Sequence, residues 1–276
     1  MKNKFFLITV LAFAVFGFSN LKAQQAAQQF KLNQRDSASR DVVYFCCTDR
    51  LILTNDNINR MNLDLVDSAT GNELIRKYTH IVDKVNDSII LSTFRNGLLS
   101  ELRSYGFEVA EVKKEDMPKQ FDLRHHTVEV AQLELEEYSF VDSVSTMQGE
   151  HRAMQKMLNG IRLNAWIVYN GEDTNSMQMF FCDEQMTDEF HGFVEKESGK
   201  YYANYTLTRI NPNDAYILSD YTAKVCARYF FNFLINRYVW FQTGGQDKNY
   251  YGINEDNELM YDSSPFDNFD IITQED

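Results

Sequence analysis

The sequence predicts an α+β domain: a mainly antiparallel sheet, two principal helices packed on one of its faces, and an acidic, disordered C-terminal tail. Three observations point there. Apolar residues recur at four-residue steps over Ser88–Tyr105 (Ile90, Phe94, Leu98, Leu102) and again from Asn213 to Tyr238 (Ile217, Tyr221, Val225, Tyr229, Phe233). Between these segments the period switches to two, as in Ile161, Leu163, Ala165, Ile167 and Tyr169. The order is thus helix, a run of strands, then helix, which favours a layer of helices on a sheet.

Taken in order, residues 1–23 read as an export signal. Met1–Lys4 is basic, Phe5–Phe18 is apolar apart from Thr9 and Gly17, and Ser19–Ala23 turns polar and ends on a small residue. The apolar run falls short of the ~20 residues a spanning helix needs. Cleavage is expected between Ala23 and Gln24. Residues 24–41 are polar and rich in Gln, and read as a flexible leader. The folded domain is expected over residues 42–240. It starts with a strand at Val42–Cys47 and holds a candidate strand at Leu51–Thr54. The first helix is capped by Asp87 or Ser88 and ended by Gly106, and Phe107–Val112 is a strand after a minimal connection. In Thr127–Val141 the alternation shifts at Ala131-Gln132 and again before Tyr138, and each shift suggests a bulge. Asn170-Gly171 turns Ile161–Tyr169 back into Met177–Cys182, and Tyr201–Ile210 is one more strand. Asn211-Pro212 caps and opens the last helix. Residues 241–276 form the acidic tail.

Charge narrows the range of partners. The formal net charge is −13, and the three lysines of the signal make the mature chain more acidic still. Such a chain repels nucleic acid and anionic lipid headgroups. From Phe241 onward there are nine acids and one base, Lys248, with Tyr261, Phe266 and Phe269 interspersed as candidate partner-docking residues. The four cysteines suit an exported protein as candidate disulfides, Cys46 and Cys47 pairing with Cys182 and Cys226 in either order, or as small buried hydrophobes.

Motifs for catalysis are missing. There is no Gly-x-Ser-x-Gly, no His-Glu-x-x-His and no phosphate loop. His125 and His126 are adjacent at a strand start, so they point to opposite faces and do not share a metal. Glu129, Glu134, Glu136 and Glu137 read as a solvated strand face. No catalytic residue, metal site or cofactor is expected. One short pattern recurs: Asp36-Ser37-Ala38, Asp67-Ser68-Ala69, Asp87-Ser88-Ile89 and Asp142-Ser143-Val144. It looks like the acceptor motif of a general O-glycosylation system of some Gram-negative envelopes, with Ser37, Ser68, Ser88 and Ser143 as candidate sites.

The stretch Phe94–Val109, in which a helix ends in Leu-x-x-Leu-x-x-x-Gly-Phe-x-Val and runs into a strand, has a familiar layout. With the strands Val128–Phe140 and Leu163–Tyr169 and a long last helix, it resembles the periplasmic auxiliary domains of ABC-type lipid-transport and related envelope-assembly systems. The likeness spans roughly Val42 to Trp240, and the chain departs from that family by lacking a lipid-anchor cysteine after the signal. The resemblance implies a non-catalytic accessory role in a larger envelope machine. Export, the missing catalytic motifs and the acidic aromatic tail agree with an accessory or scaffolding subunit in envelope transport, assembly or secretion, periplasmic or outer-membrane associated, working with envelope protein partners. The alternatives are a secreted hydrolase with a dispersed active site and a surface carbohydrate binder using Trp166 or a Tyr cluster. N-terminal sequencing of the secreted protein is expected to start at Gln24, and its intact mass to exceed that of the bare chain by at least one glycan.

Overall fold

A computed structural model describes residues 21–56, 76, 79–118, 124–145, 153–170, 177–195, 201–245, 249–254, 256–263 and 270–272. In chain order the elements are α1 (residues 21–35), β1 (Val42–Cys47), β2 (Leu51–Asn55), a 3-10 turn (Val82–Lys84), α2 (Asp87–Ser104), β3 (Glu108–Glu111) and β4 (His125–Ser145). There follow β5 (Ala153–Asn170), β6 (Met177–Thr187), β7 (Glu189–Glu195), β8 (Tyr201–Thr208), α3 (Pro212–Thr243), β9 (Tyr250–Ile253), β10 (Leu259–Asp262) and β11 (Asp270–Ile272).

The α+β class holds. The principal sheet runs β11-β6-β5-β4-β1-β3, and β2 pairs with β4 beyond the end of β1. Strands β4, β5, β6 and β11 are antiparallel, whereas β1 is parallel to both β3 and β4, and β2 is parallel to β4. The sheet is thus mainly antiparallel, as expected, with the short strands β1, β2 and β3 adding a parallel edge. Parallel neighbours need a crossover, and α2 supplies it between β1 and β3. The β7–β8 hairpin and the β9–β10 hairpin form two small separate sheets.

Helix α2 keeps the predicted stripe: Ile90, Phe94, Leu98 and Leu102 are buried. Its cap is Asn86, whose side chain accepts from the N–H groups of Ser88 and Ile89, one residue earlier than expected. Gly106 follows at φ 101°, and a Cβ there would stand 2.4 Å from the Gln34 carbonyl oxygen, so α1 can lie against this turn only because the residue is glycine. Helix α3 has the predicted Asn211 cap, completed by Asp214 into a capping box. Its buried face is offset from the predicted stripe: Ile217 and Tyr221 are exposed, while Ala215, Ser219, Thr222, Ala223 and Ala227 are buried. Small residues let the helices approach. A Cβ on Gly97 of α2 would be 3.1 Å from that of Ala223, and the Ser219 hydroxyl donates to the Ile90 carbonyl at 2.9 Å.

Two segments expected to be loose are built into the fold. Residues 21–35 are helical, not a flexible leader: Ala23, Ala26, Ala27 and Phe30 are buried, with Phe30 against Phe231 and Tyr238 of α3. Alanine is small enough that this stripe hides among the glutamines. In the tail, α3 runs on to Thr243, and Tyr251 and Ile253 are fully buried. Asn236 of α3 both accepts from the Tyr251 N–H (2.8 Å) and donates to its carbonyl (2.7 Å), and Asn232 accepts from the Ile253 N–H. β11 then adds to the sheet edge beside β6. Alternate apolar residues among the acids give this segment a face to bury.

The bulge predicted at Ala131-Gln132 is present, between Val130 and Gln132. The second is not: pairing with β5 is regular from Gln132 to Ser145. Glu137 instead takes an inward position and is buried. Its carboxylate accepts from the backbone N–H groups of His80, Ile81 and Val82 at 2.8, 2.9 and 3.0 Å, which explains an acid on the core face. Glu137→Ala strands these donors and is expected to cost about 1–3 kcal/mol of stability, read as a lower denaturant midpoint at unchanged slope.

Candidate ligand cavity

Four side chains from four parts of the fold meet under the helices. Asp41 lies just before β1, where its N–H donates to the Gln34 side-chain oxygen of α1 (2.9 Å) and its carbonyl accepts from Glu108 of β3 (3.0 Å). His126 sits in β4 opposite Val43 and faces the helices. Tyr169 comes from β5, where it pairs with Val128, and Arg237 from α3. Asp41, His126 and Tyr169 are 6%, 4% and 2% exposed.

Their hydrogen bonds form one directed chain. The Arg237 Nη1–H donates to the Tyr169 hydroxyl at 2.5 Å, and that hydroxyl lies 3.2 Å from His126 Nδ1. His126 Nε2 is 3.1 Å from Asp41 Oδ2. A guanidinium only donates and a carboxylate only accepts, so Tyr169 accepts from Arg237 and the imidazole donates through Nε2–H to Asp41, while the Tyr169 hydroxyl proton is left to point at Nδ1. Both imidazole nitrogens of His126 are thus engaged by protein groups.

Beside this chain is a cavity of about 230 Å³, walled by Phe30 and Asn33 of α1, Arg124 and His126 at the head of β4, and the last turns of α3. The Arg237 guanidinium lies over the Phe241 ring, 5.7 Å from its centre. Arg124 donates to the carbonyls of Ala38 (3.1 Å) and Arg40 (2.8 Å), fixing the turn that carries Asp41. Of these residues only His126 is considered from the sequence, as an unsuitable metal ligand. A usable signal existed: His126 and Tyr169 fall at inward positions of alternating strands, where a polar group needs a partner.

The residues that the sequence did single out are spread over the fold. Ser37, Ser88 and Ser143 are exposed, as glycan acceptors must be, and Ser68 lies outside the described residues. Tyr261 is exposed on β10, while Phe266 and Phe269 lie outside the described residues. Ala23 is buried in α1 and Gln24 half-buried beside it. His125 stacks near Tyr44 on the opposite sheet face from His126, as their adjacency requires. Trp166 is half-buried against Phe181, ring centres 4.7 Å apart, and is no open platform for a sugar. Glu129, Glu134 and Glu136 point outward but are half-buried rather than solvated, paired with Lys114, Thr54 and Arg162.

The expected cysteine pairing is out of reach. β1 and β6 are separated by β4 and β5, so Cys46 and Cys47 stand about 14 Å from Cys182 at the usual strand spacing, twice the limit for a disulfide. Cys226 touches Cys182 on the β6 side, and all four are free thiols. Burial pushes Cys47 up to about 12, raises Cys46 with help from the Glu129 charge, and raises Cys226 with help from the Cys182 thiol. Thiols shifted this way are poor nucleophiles at neutral pH.

Among the described residues no helix is long and apolar enough to cross a membrane. No protein-family model matches the chain, and neither does any curated protein. Among solved structures, it superimposes on a protein from Helicobacter pylori named as a homolog of neuraminyllactose-binding hemagglutinin, at a TM-score of 0.35 and 6% identity, covering 76% of this chain and 93% of that one. A likeness this slight informs neither the fold nor the site.

Proposed function

We propose that this protein is an exported, non-catalytic accessory subunit of a cell-envelope transport, assembly or secretion machine, which docks a protein partner through an aromatic patch at the C-terminal end of α3. The patch is the observation that carries the reading. Trp240 and Phe241 are 59% and 46% exposed and pack edge to face, with ring centres 5.2 Å apart. Trp240 lies one helical turn beyond Asn236, the residue that grips β9, so the β9–β10 hairpin is its neighbour. That hairpin presents Tyr261, 59% exposed, on the face of Tyr251, and Tyr250 and Met260 on its other face. Large aromatics in this number are what anchors interfaces.

The rim is acidic. Asp256, Glu258 and Asp262 are exposed on the hairpin and its turn. The partner surface that fits is therefore apolar at its centre and ringed by basic side chains. The export signal and the resemblance to envelope accessory domains support the compartment and the kind of machine. Cleavage after Ala23 cuts α1 within its first described turns, so it must precede the packing of that helix.

The test is co-purification from crosslinked envelopes. The wild-type chain is expected to bring down one stoichiometric partner with weakened capture at high salt, and the double variant Trp240→Ala, Tyr261→Ser to lose it by at least about tenfold while melting like wild type. A wild-type monomer without partner, or undiminished capture by the variant, would sink the proposal. Tyr169→Phe, which removes the middle link of the buried chain, is expected to cost about 1–3 kcal/mol in denaturant unfolding and to leave partner capture unchanged.

A further inference from the structure

We infer that Cys182 of β6 and Cys226 of α3 become joined by a disulfide in the secreted protein, a covalent staple between the sheet and its longest helix. The two thiols touch in the core, and the residues are 4% and 1% exposed. Their meeting follows from how the helix lies on the sheet. Phe180, Cys182 and Glu184 take alternate, helix-facing positions of β6. Phe180 packs edge-on against Phe233 of α3, ring centres 5.1 Å apart. From that contact β6 runs on to Cys182, and α3 traced back two turns reaches Cys226. Both paths lead the same way: Arg237, later in α3, sits at Tyr169, which pairs with Gln178 on the other side of Phe180.

The packing at this point is thin enough for a bridge. A disulfide spans about 4.4–6.8 Å between Cα atoms, a closer approach than large side chains allow. Here Ala165 of β5 stands opposite Cys182, and Ala223 lies one turn before Cys226, both fully buried. Cα atoms of α3 and β6 come within 8 Å of each other. Further along α3 the rings of Phe230 and Phe233 fill the same layer. Cys46 and Cys47 take no part. They lie on β1, with β4 and β5 between them and β6, and as strand neighbours they point to opposite faces. The oxidised chain therefore carries one bridge and two thiols.

The oxidant is a disulfide, small or protein-borne, of the compartment outside the cytoplasm, so the inference rests on the export reading. One cysteine loses its proton to water and attacks a sulfur of that disulfide. The oxidant's S–S bond breaks, one of its halves leaves as a thiolate and takes up a proton, and a mixed disulfide remains. The second cysteine, deprotonated in turn, attacks the protein sulfur and expels the other half. The two protein thiols give up two electrons and two protons, and the oxidant becomes two thiols. In the finished fold, burial and the Cys182 thiol keep Cys226 protonated, so exchange belongs to the folding chain, and packing then shields the bond.

The full secreted chain is quenched in acid, denatured and labelled with N-ethylmaleimide, with and without prior reduction, and its mass and peptides are measured. Two labels, on Cys46 and Cys47, are expected without reduction and four after it, with the Cys182 and Cys226 peptides linked until reduction. The bridged chain is expected to melt about 5–10 °C above its reduced form, and the double variant Cys182→Ala, Cys226→Ala to melt alike with or without reductant. In parallel, the reduced full chain is refolded from guanidinium in mixed reduced and oxidised glutathione, where the same single bridge is expected. Four labels on unreduced chain recovered from outside the cytoplasm, failure to bridge in glutathione, or a bridge through Cys46 or Cys47 would overturn the inference. A chain found in the cytoplasm with four thiols that still forms this bridge in glutathione would instead count against the export reading and leave the pairing standing.

Discussion

A carboxylate withdrawn from water must be compensated, and in this fold the compensation of Asp41 organises the region around it. Burying an unpaired charge costs several kcal/mol even after relaxation. Asp41 is matched by His126, His126 by Tyr169, and Tyr169 by Arg237. The four belong to the segment before β1, to β4, to β5 and to α3, so one line of hydrogen bonds fastens the sheet to its longest helix. The Asp41 main chain extends the line to α1 through Gln34 and to β3 through Glu108. Elements distant in sequence are held in one register because each polar group has a single place in which it is satisfied.

The same compensation shapes the adjoining space. A chain of side chains bonded to one another in this way holds the Arg237 guanidinium in place. Aromatic rings complete the work: Phe230 stands edge-on to Tyr169 and to His126, and Phe233 edge-on to Tyr169. The cavity is therefore rigid on the sheet side and walled by helix on the other. Phe241 belongs both to its wall and to the exposed aromatic patch, so a single side chain joins the interior space to the outer surface.

How far the sequence could be read depended on which residues carried the signal. The α2 stripe and the caps of α3 were legible because large apolar residues at helical spacing and Asn-Pro at a helix start have few other meanings. The α1 stripe was not, because Ala23, Ala26 and Ala27 bury little area and stand among glutamines. The face of α3 was misplaced for a related reason: contact with α2 is made by Ala, Ser and Thr, and the larger Ile217 and Tyr221 are left outside. The site itself was hidden because its members are singletons, brought together from positions 41, 126, 169 and 237 by pairings that no local pattern reveals. His126 and Glu137 carried partial signals as polar residues at inward positions, and each turned out to have a specific set of partners.

The bulge between Val130 and Gln132 has a consequence for how insertions and deletions would be tolerated. Side chains alternate along a strand, so one extra residue reverses the parity of everything after it. In β4, His126 at one end and Glu137 at the other are an odd number of positions apart yet both face inward, because the bulge absorbs the extra residue, Ala131. Delete Ala131 and the strand alternates regularly with His126, Leu133, Leu135 and Glu137 all still inside; delete or insert a single residue elsewhere between His126 and Leu133 and, with His126 kept inside, Glu134 and Glu136 turn into the core unless the bulge is lost or doubled to compensate. The strand thus carries a reading frame of its own, and the bulge is the one place where a lost residue is nearly silent.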